Sequence, residues 1–245
     1  MGRTRRRKPK MPEPPPRGLI RVGDRTLAFI HNEDEPAGAA YPTAEEIEAT
    51  FSGLPDELTW DWAAPRLIPL FERGYGEGVN GDPMVNTVSQ LGIGIGFGID
   101  FGPVLGRVTL SMAQRWEASP EQIERAATVH LTEVAASVSR SDLQSIVHQG
   151  HLVRALGTPA GWASSIVLTG GSELIRIFGV RDAIITAPAR NSLLAFAAGT
   201  PARAVADVTV QLEMLDPHPL DLDPFVMEDG VLRWDGLEAD PVEVS

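Results

Sequence analysis

Five histidines, one carboxylate inside an apolar run and one Arg-Asn turn are the residues whose types and spacing could do chemistry here. His148-Gln149-Gly150-His151 is the one close histidine pair. Two imidazoles at that spacing can serve a metal, but a site needs a third ligand and a supporting shell. No His-Glu-x-x-His motif accompanies them, and a polar turn accounts for the pair equally well, so no metal is expected. Asp100 interrupts an otherwise apolar stretch, where an unpaired buried carboxylate would be costly. It should therefore accept hydrogen bonds, pair with an arginine such as Arg107, or stand at a pocket, and structural pairing is preferred among these. His130 borders the apolar stripe of a helix, the setting of a satisfied core histidine, while His31 and His218 fall in polar loops. Asp182 and Arg190 flank a hairpin, and Arg190-Asn191 at its tight turn could present donors to an anion, although a solvated turn explains them too.

Several chemistries are excluded outright. The chain has no cysteine, so thiol nucleophiles, disulfides and thiolate metal sites are absent. Its only lysines are Lys8 and Lys10. The rest of the chain thus lacks a lysine for a pyridoxal Schiff base, a phosphate-binding loop or a kinase-type phosphate contact. Gly170-Gly171-Ser172-Glu173-Leu174 lacks the closing glycine of a nucleophile elbow. Asp221-Leu222-Asp223 lacks the central glycine and later ligands of a calcium loop. No cofactor is expected.

The elements that must position these groups sit in a chain of 245 residues with a net charge of −12. Residues 1–18 carry seven basic side chains against Glu13 alone, leaving 14 basic and 32 acidic side chains in the remainder. That arm, rich in proline and arginine, has too few apolar side chains to offset the entropy of ordering. It reads as a solvated tail, with nucleic-acid tethering through it as the alternative. No run approaches the roughly 18 uninterrupted apolar residues of a membrane span; residues 91–105 come nearest and are broken by Asp100 and Pro103. A soluble, cytoplasmic protein is expected.

Residues 19–30 read as a hairpin around Gly23-Asp24. Thr43-Ala44-Glu45-Glu46 is a capping box ahead of Ile47, Phe51 and Leu54 at helical spacing. Residues 61–73 look helical despite Pro65 and Pro69, with Trp60 and Trp62 as core or interface anchors and a glycine-rich break following. Ser119-Pro120-Glu121-Gln122 opens a helix with the stripe Ile123, Ala127, Leu131 and Val134. Strand pairs are expected around Gln149-Gly150, around Pro188-Ala189-Arg190-Asn191 and over Asp229-Gly230. Residues 162–177 read as one helix weakened by Gly170-Gly171, and Thr200-Pro201 begins another. The sum is an α+β fold of mixed or antiparallel sheet with hairpins and packed helices. It comprises an N-terminal segment at 19–85, a main domain at 86–236 and an acidic tail at 237–245.

The most distinctive stretch is residues 91–102, where Gly92, Gly94, Gly96 and Gly98 alternate with Ile93, Ile95, Phe97 and Ile99. A strand sends these two sets to opposite faces, one bare and one apolar. A dinucleotide fingerprint fails on spacing, because each third glycine position holds Phe97, Ile99 or Phe101. Bare backbone instead lets a neighbour approach closely.

This glycine/apolar strand ending in Asp100, the Trp116 and Ser119-Pro120-Glu121-Gln122 helix start, Trp162-Ala163-Ser164-Ser165 and Ala187-Pro188-Ala189-Arg190-Asn191 together resemble the YtpQ-like bacterial proteins of unknown function. The likeness spans roughly residues 88–234. It implies a cytosolic bacterial protein and transfers no catalytic residue; Asn191 stands where that family usually has an acid.

The function expected from all this is a non-catalytic binding or protein-interaction module, with a protein partner or a small ligand. The alternative is an enzyme whose site is assembled by folding from Asp100, His130, His148 or Arg190, and the ligand-binding candidates are Asp100, Arg190 and Asn191.

Overall fold

A computed structural model of the protein describes residues 17–22, 25–30, 43–71, 81–102, 104–158, 161–216 and 219–234. The basic arm before Arg17, His31, the glycine-rich stretch before Gly81, His218 and the acidic end after Trp234 lie outside the described residues. The chain divides into two units, Met1–Ala39 and Ala40–Ser245. In the first, β1 (Arg17–Val22) and β2 (Arg25–Ile30) form the antiparallel hairpin expected around Gly23-Asp24, with β1 starting two residues inside the stretch read as arm.

The second unit has the α+β architecture expected from the sequence. Its elements are α1 (Ala44–Ser52), α2 (Trp60–Ala63), β3 (Leu67–Phe71), β4 (Asn86–Val88), β5 (Gly94–Asp100), β6 (Leu105–Arg107), α3 (Leu110–Arg115) and α4 (Pro120–Ser137). There follow β7 (Leu143–His148), β8 (His151–Gly157), a 3-10 segment (Ala163–Thr169), α5 (Gly171–Phe178), β9 (Ala183–Ala189), β10 (Ser192–Ala197), α6 (Ala202–Leu215), β11 (Phe225–Glu228) and β12 (Val231–Arg233). The strands make two antiparallel sheets, one ordered β12-β11-β9-β10-β8-β7 and one centred on β5.

Both capping boxes form. Thr43 and Glu46 exchange bonds at the start of α1, and Ser119 and Gln122 do so at the start of α4. The buried stripe of α4 is Ile123, Ala127, Leu131 and Ala135, each of the larger two contributing about 1.5–3 kcal/mol by burial. At the far end of α4, the Arg176 guanidinium of α5 donates to the carbonyls of Ala135 (2.5 Å) and Val138 (2.8 Å) and pairs with Glu173 at 2.6 Å. The Ala135 carbonyl also accepts the Val138 amide at 3.0 Å, and Val138 is the residue just past the helix, so the guanidinium adds charge-assisted bonds at the negative end of α4.

The helix expected at 61–73 is corrected. α2 lasts one turn, a 3-10 turn containing Pro65 follows, and residues from Leu67 become a strand. Pro69 has no N–H for a helix interior, whereas β3 lies at an edge of its sheet, where a missing donor is tolerated. Every residue of β3 is buried, so its two-faced apolar run has no alternation to mark it as a strand.

β3 also explains the glycine run. It pairs along one edge of β5, while β4 and β6 share the other edge in succession. Leu67 and Phe71 fall on the face of Ile99 and Ile95, all buried. Ile68 and Leu70 fall on the glycine face, and a Cβ at Gly98 would meet Leu70 Cδ1 at 2.7 Å and the Gly106 carbonyl at 3.2 Å. Large side chains on β3 thus lie over absent ones on β5. At Gly94 the same construction meets nothing within 4 Å, so only part of the run is packing surface.

The helix expected at 162–177 is interrupted. Gly170, at φ 89° and ψ 174°, separates the 3-10 segment from α5 in a conformation that disfavours any other residue. One hydrophobic core joins the two sheets through α4, the 3-10 segment and α5, with the Phe71 and Phe225 rings 6.2 Å apart across it. A second, smaller cluster packs α6, through Val205 and Val208, on the opposite face of β8, β9 and β10.

Candidate functional site

Asp100 is the last residue of β5, and the chain turns there so that its own carboxylate accepts the Gly102 amide at 2.7 Å. His130 arrives from the middle of α4, beside Leu131 and off the buried stripe. Trp62 and Arg66 come from α2 and the 3-10 turn after it, Thr50 from the last turn of α1 and Leu54 from just past that helix. Together with Phe101 and Gly102, these residues line one cleft of about 350 Å³.

The aromatic wall is continuous. The Trp62 and Phe101 rings are 5.9 Å apart, and Phe51 of α1 stands 5.5 Å from Phe101. The Arg66 guanidinium sits 4.3 Å above the Trp62 ring and donates to the Trp62 carbonyl at 2.6 Å. Stacking and that bond fix the cation at the cleft wall. The neighbouring Trp60 packs 5.9 Å from Trp116, whose indole donates to the Leu58 carbonyl. Trp60 is therefore the anchor expected, whereas Trp62 is both anchor and cleft wall.

Burial pushes the Asp100 carboxyl above its ordinary value of 3.8, against the opposing pull of the Gly102 amide and of a positive His130. His130 Nδ1 lies 4.0 Å from the Glu133 carboxylate, and its Nε2 is buried with no hydrogen-bond partner. One cleft therefore holds a partly buried acid, an imidazole with an unsatisfied nitrogen and a stacked cation. His148 Nε2 and the Ser164 and Ser165 hydroxyls are also buried without partners, so what marks the cleft is the raised acid beside the imidazole.

The raised Asp100 has a stability consequence. The folded protein holds that proton more tightly than the unfolded chain, so ionisation opposes folding once pH rises through the folded value, and the cost is absent below 3.8. Asp100→Asn keeps an acceptor for Gly102 and removes the charge. Urea titrations at neutral pH should show a gain of less than about 1 kcal/mol, the scale for a half-exposed charge, fading to nothing as pH falls below the ordinary carboxyl range.

The other sequence candidates are placed elsewhere. His148 and His151 face each other across the β7–β8 turn, where Gln149 (φ 50°) and Gly150 (φ 81°) form the tight connection. Among the described residues no three histidine, aspartate or glutamate side chains gather as metal ligands. Arg190 and Asn191 are the turn between β9 and β10, where their carbonyls accept from the Ser164 and Thr158 amides. Asp182 accepts the Asp229 amide at 2.7 Å and so braces the β11–β12 turn. Asp100 lies opposite Leu105, and Arg107 lies opposite Gly98. Of the four residues considered for an assembled site, folding brings Asp100 and His130 into one cleft and leaves His148 and Arg190 outside its lining. Sequence reasoning missed Arg66. Its signal was the Trp62-x-x-x-Arg66 spacing, which stacks a cation on an aromatic one helical turn away.

No protein-family model matches the chain, and no curated protein or solved structure matches it. Among the described residues no helix is long and apolar enough to cross a membrane.

Proposed function

We propose that this protein is a non-catalytic binding module whose small polar ligand seats in the cleft between α1, α4 and the end of β5. The observation carrying this reading is the convergence of Asp100, His130 and Arg66 on an aromatic wall. A few convergent polar groups in a mostly apolar concavity are the usual make-up of a small-molecule site. The ligand that fits offers a hydrogen-bond donor to Asp100, an acceptor or negative group to Arg66, and a flat or apolar body for Trp62 and Phe101. The cytosolic bacterial setting, and kinship with the YtpQ-like proteins, belong to the same proposal.

A thermal-shift screen of small metabolites against the full chain tests it, because a ligand at a hundred times its Kd stabilises the native state by about 2.7 kcal/mol. The expected outcome is a ligand whose shift disappears in Asp100→Asn and in His130→Ala. A screen with no shift, or a shift that both variants retain, overturns the reading.

A second reading is favoured by one observation. A carboxyl with raised proton affinity beside an imidazole is the pairing used for acid–base chemistry. If the ligand found by the screen is converted on incubation, and Asp100→Asn still binds it but leaves it unchanged, the enzymatic alternative replaces the binding one.

A further inference from the structure

The six-stranded sheet ends at β7, and among the described residues no strand pairs with the outer edge of β7. Exposed edges of this kind are ordinarily protected by charge, proline, a bulge or shortness. β7 has none of these. It is six residues long, its register with β8 is unbroken, and residues 143–153 contain no charged side chain apart from the two histidines, in a chain of net charge −12. Its apolar side chains are left in solvent on both faces. Val147 is 71% exposed and lies opposite Leu152 at 48%, while Ile146, on the other face, is 40% exposed. α6 extends this patch. Asp207 accepts a hydrogen bond from Gln149 at the tip of the β7–β8 hairpin, and the same side of α6 carries Val210 at 48% and Met214 at 81% exposure.

The hairpin fixes which backbone groups are free. A two-residue turn makes His148 and His151 a hydrogen-bonded pair, so the bonded positions of β7 are His148, Ile146 and Gln144. The N–H and C=O groups of Leu143, Ser145 and Val147 therefore point outward.

We infer that the occupant of this edge is a second copy of the same chain, joined by antiparallel β7–β7 pairing about a two-fold axis at Ser145. That register sets Leu143 against the partner's Val147, Gln144 against the partner's Ile146, and Ser145 against the partner's Ser145. Every outward N–H and C=O group then meets a complement, and no like charges oppose each other. Two copies of an acidic chain repel over most of their surfaces, and this uncharged edge is where they can meet without that cost. The inference is independent of the cleft.

Sedimentation equilibrium on the full chain at tens of micromolar is the test, with hydrogen exchange read by NMR on the same samples. A dimer is expected, with the Ser145 and Val147 amides gaining protection as concentration rises. Ser145→Pro removes an outward donor from each copy and leaves the β8 bonds intact, and should weaken association about a hundredfold. Val147→Lys changes a side chain exposed in the single chain, so it should give a folded monomer that melts where the wild type melts after dilution below its dissociation constant, which keeps the test decisive if the proline variant unfolds. A monomeric wild type, a dimer indifferent to Val147→Lys, or amide protection independent of concentration overturns the proposal.

Discussion

Gly171→Ala is expected to destabilise the protein by about 3 kcal/mol or more, at the top of the range for overpacking. A Cβ on Gly171 would stand 1.9 Å from the carbonyl oxygen and 2.8 Å from the carbonyl carbon of Gly230. Neither atom is the tip of a side chain that can rotate aside. The oxygen belongs to the β11–β12 turn, whose Asp229 and Gly230 hold φ values of 49° and 79° and whose amides bond to Asp182 and to the Arg181 carbonyl. Moving the turn breaks those bonds, and moving α5 pulls Arg176 from the end of α4. Alanine's better helix propensity returns only about 1 kcal/mol. Urea denaturation monitored by circular dichroism gives the number directly. A loss below 1 kcal/mol would mean that α5 and the turn are not in contact as described.

The second large effect lies in β5. Phe97→Ala should cost about 3–5 kcal/mol, the range for deleting a buried aromatic side chain. Phe97 is 1% exposed, in the core that joins both sheets. The glycines interleaved with it should behave unequally. Gly98→Ala forces Leu70 to move and crowds the Gly106 carbonyl, so a loss of about 1–3 kcal/mol is expected. Gly94→Ala meets nothing within 4 Å and should be neutral or slightly stabilising, because alanine loses less backbone entropy than glycine. Equal losses at the two positions in the same denaturation series would show that the glycine face is not covered by β3 in the way described.

Much of the fold could be read locally. The boxes at Thr43 and Ser119, and the tight turns at Gln149-Gly150 and Asp229-Gly230, are set by four residues or fewer, and each forms where the sequence places it. β3 escaped this logic because a strand buried on both faces has no period, and Trp60, Ala63, Leu67 and Phe71, spaced by three and four, mimic a helical stripe across Pro65. Gly170 was legible as a weakness in a helix, but its role as a full stop depends on a positive φ that only the packed chain imposes.

The candidate site was legible in its types and not in its assembly. Asp100 stood out as a carboxylate in an apolar strand, and His130 as an imidazole beside a helical stripe. That they share a cleft follows from α4 crossing the sheet that β5 centres, a long-range packing result. Ion pairing was the preferred expectation for Asp100. What the structure gives it is the Gly102 amide, the neighbouring imidazole and partial burial.

The two helices flanking the cleft are fastened very differently. α4 is gripped along its length by four buried side chains and at its end by Arg176, so His130 rides on a firmly anchored helix. α1 buries only Ile47 and leans on Phe101 through Phe51, yet Thr50 in its last turn and Leu54 just past it line the cleft. An occupant that needs more room gains it most cheaply by displacing α1, the wall held by fewer buried side chains, with the acid and the imidazole keeping their spacing.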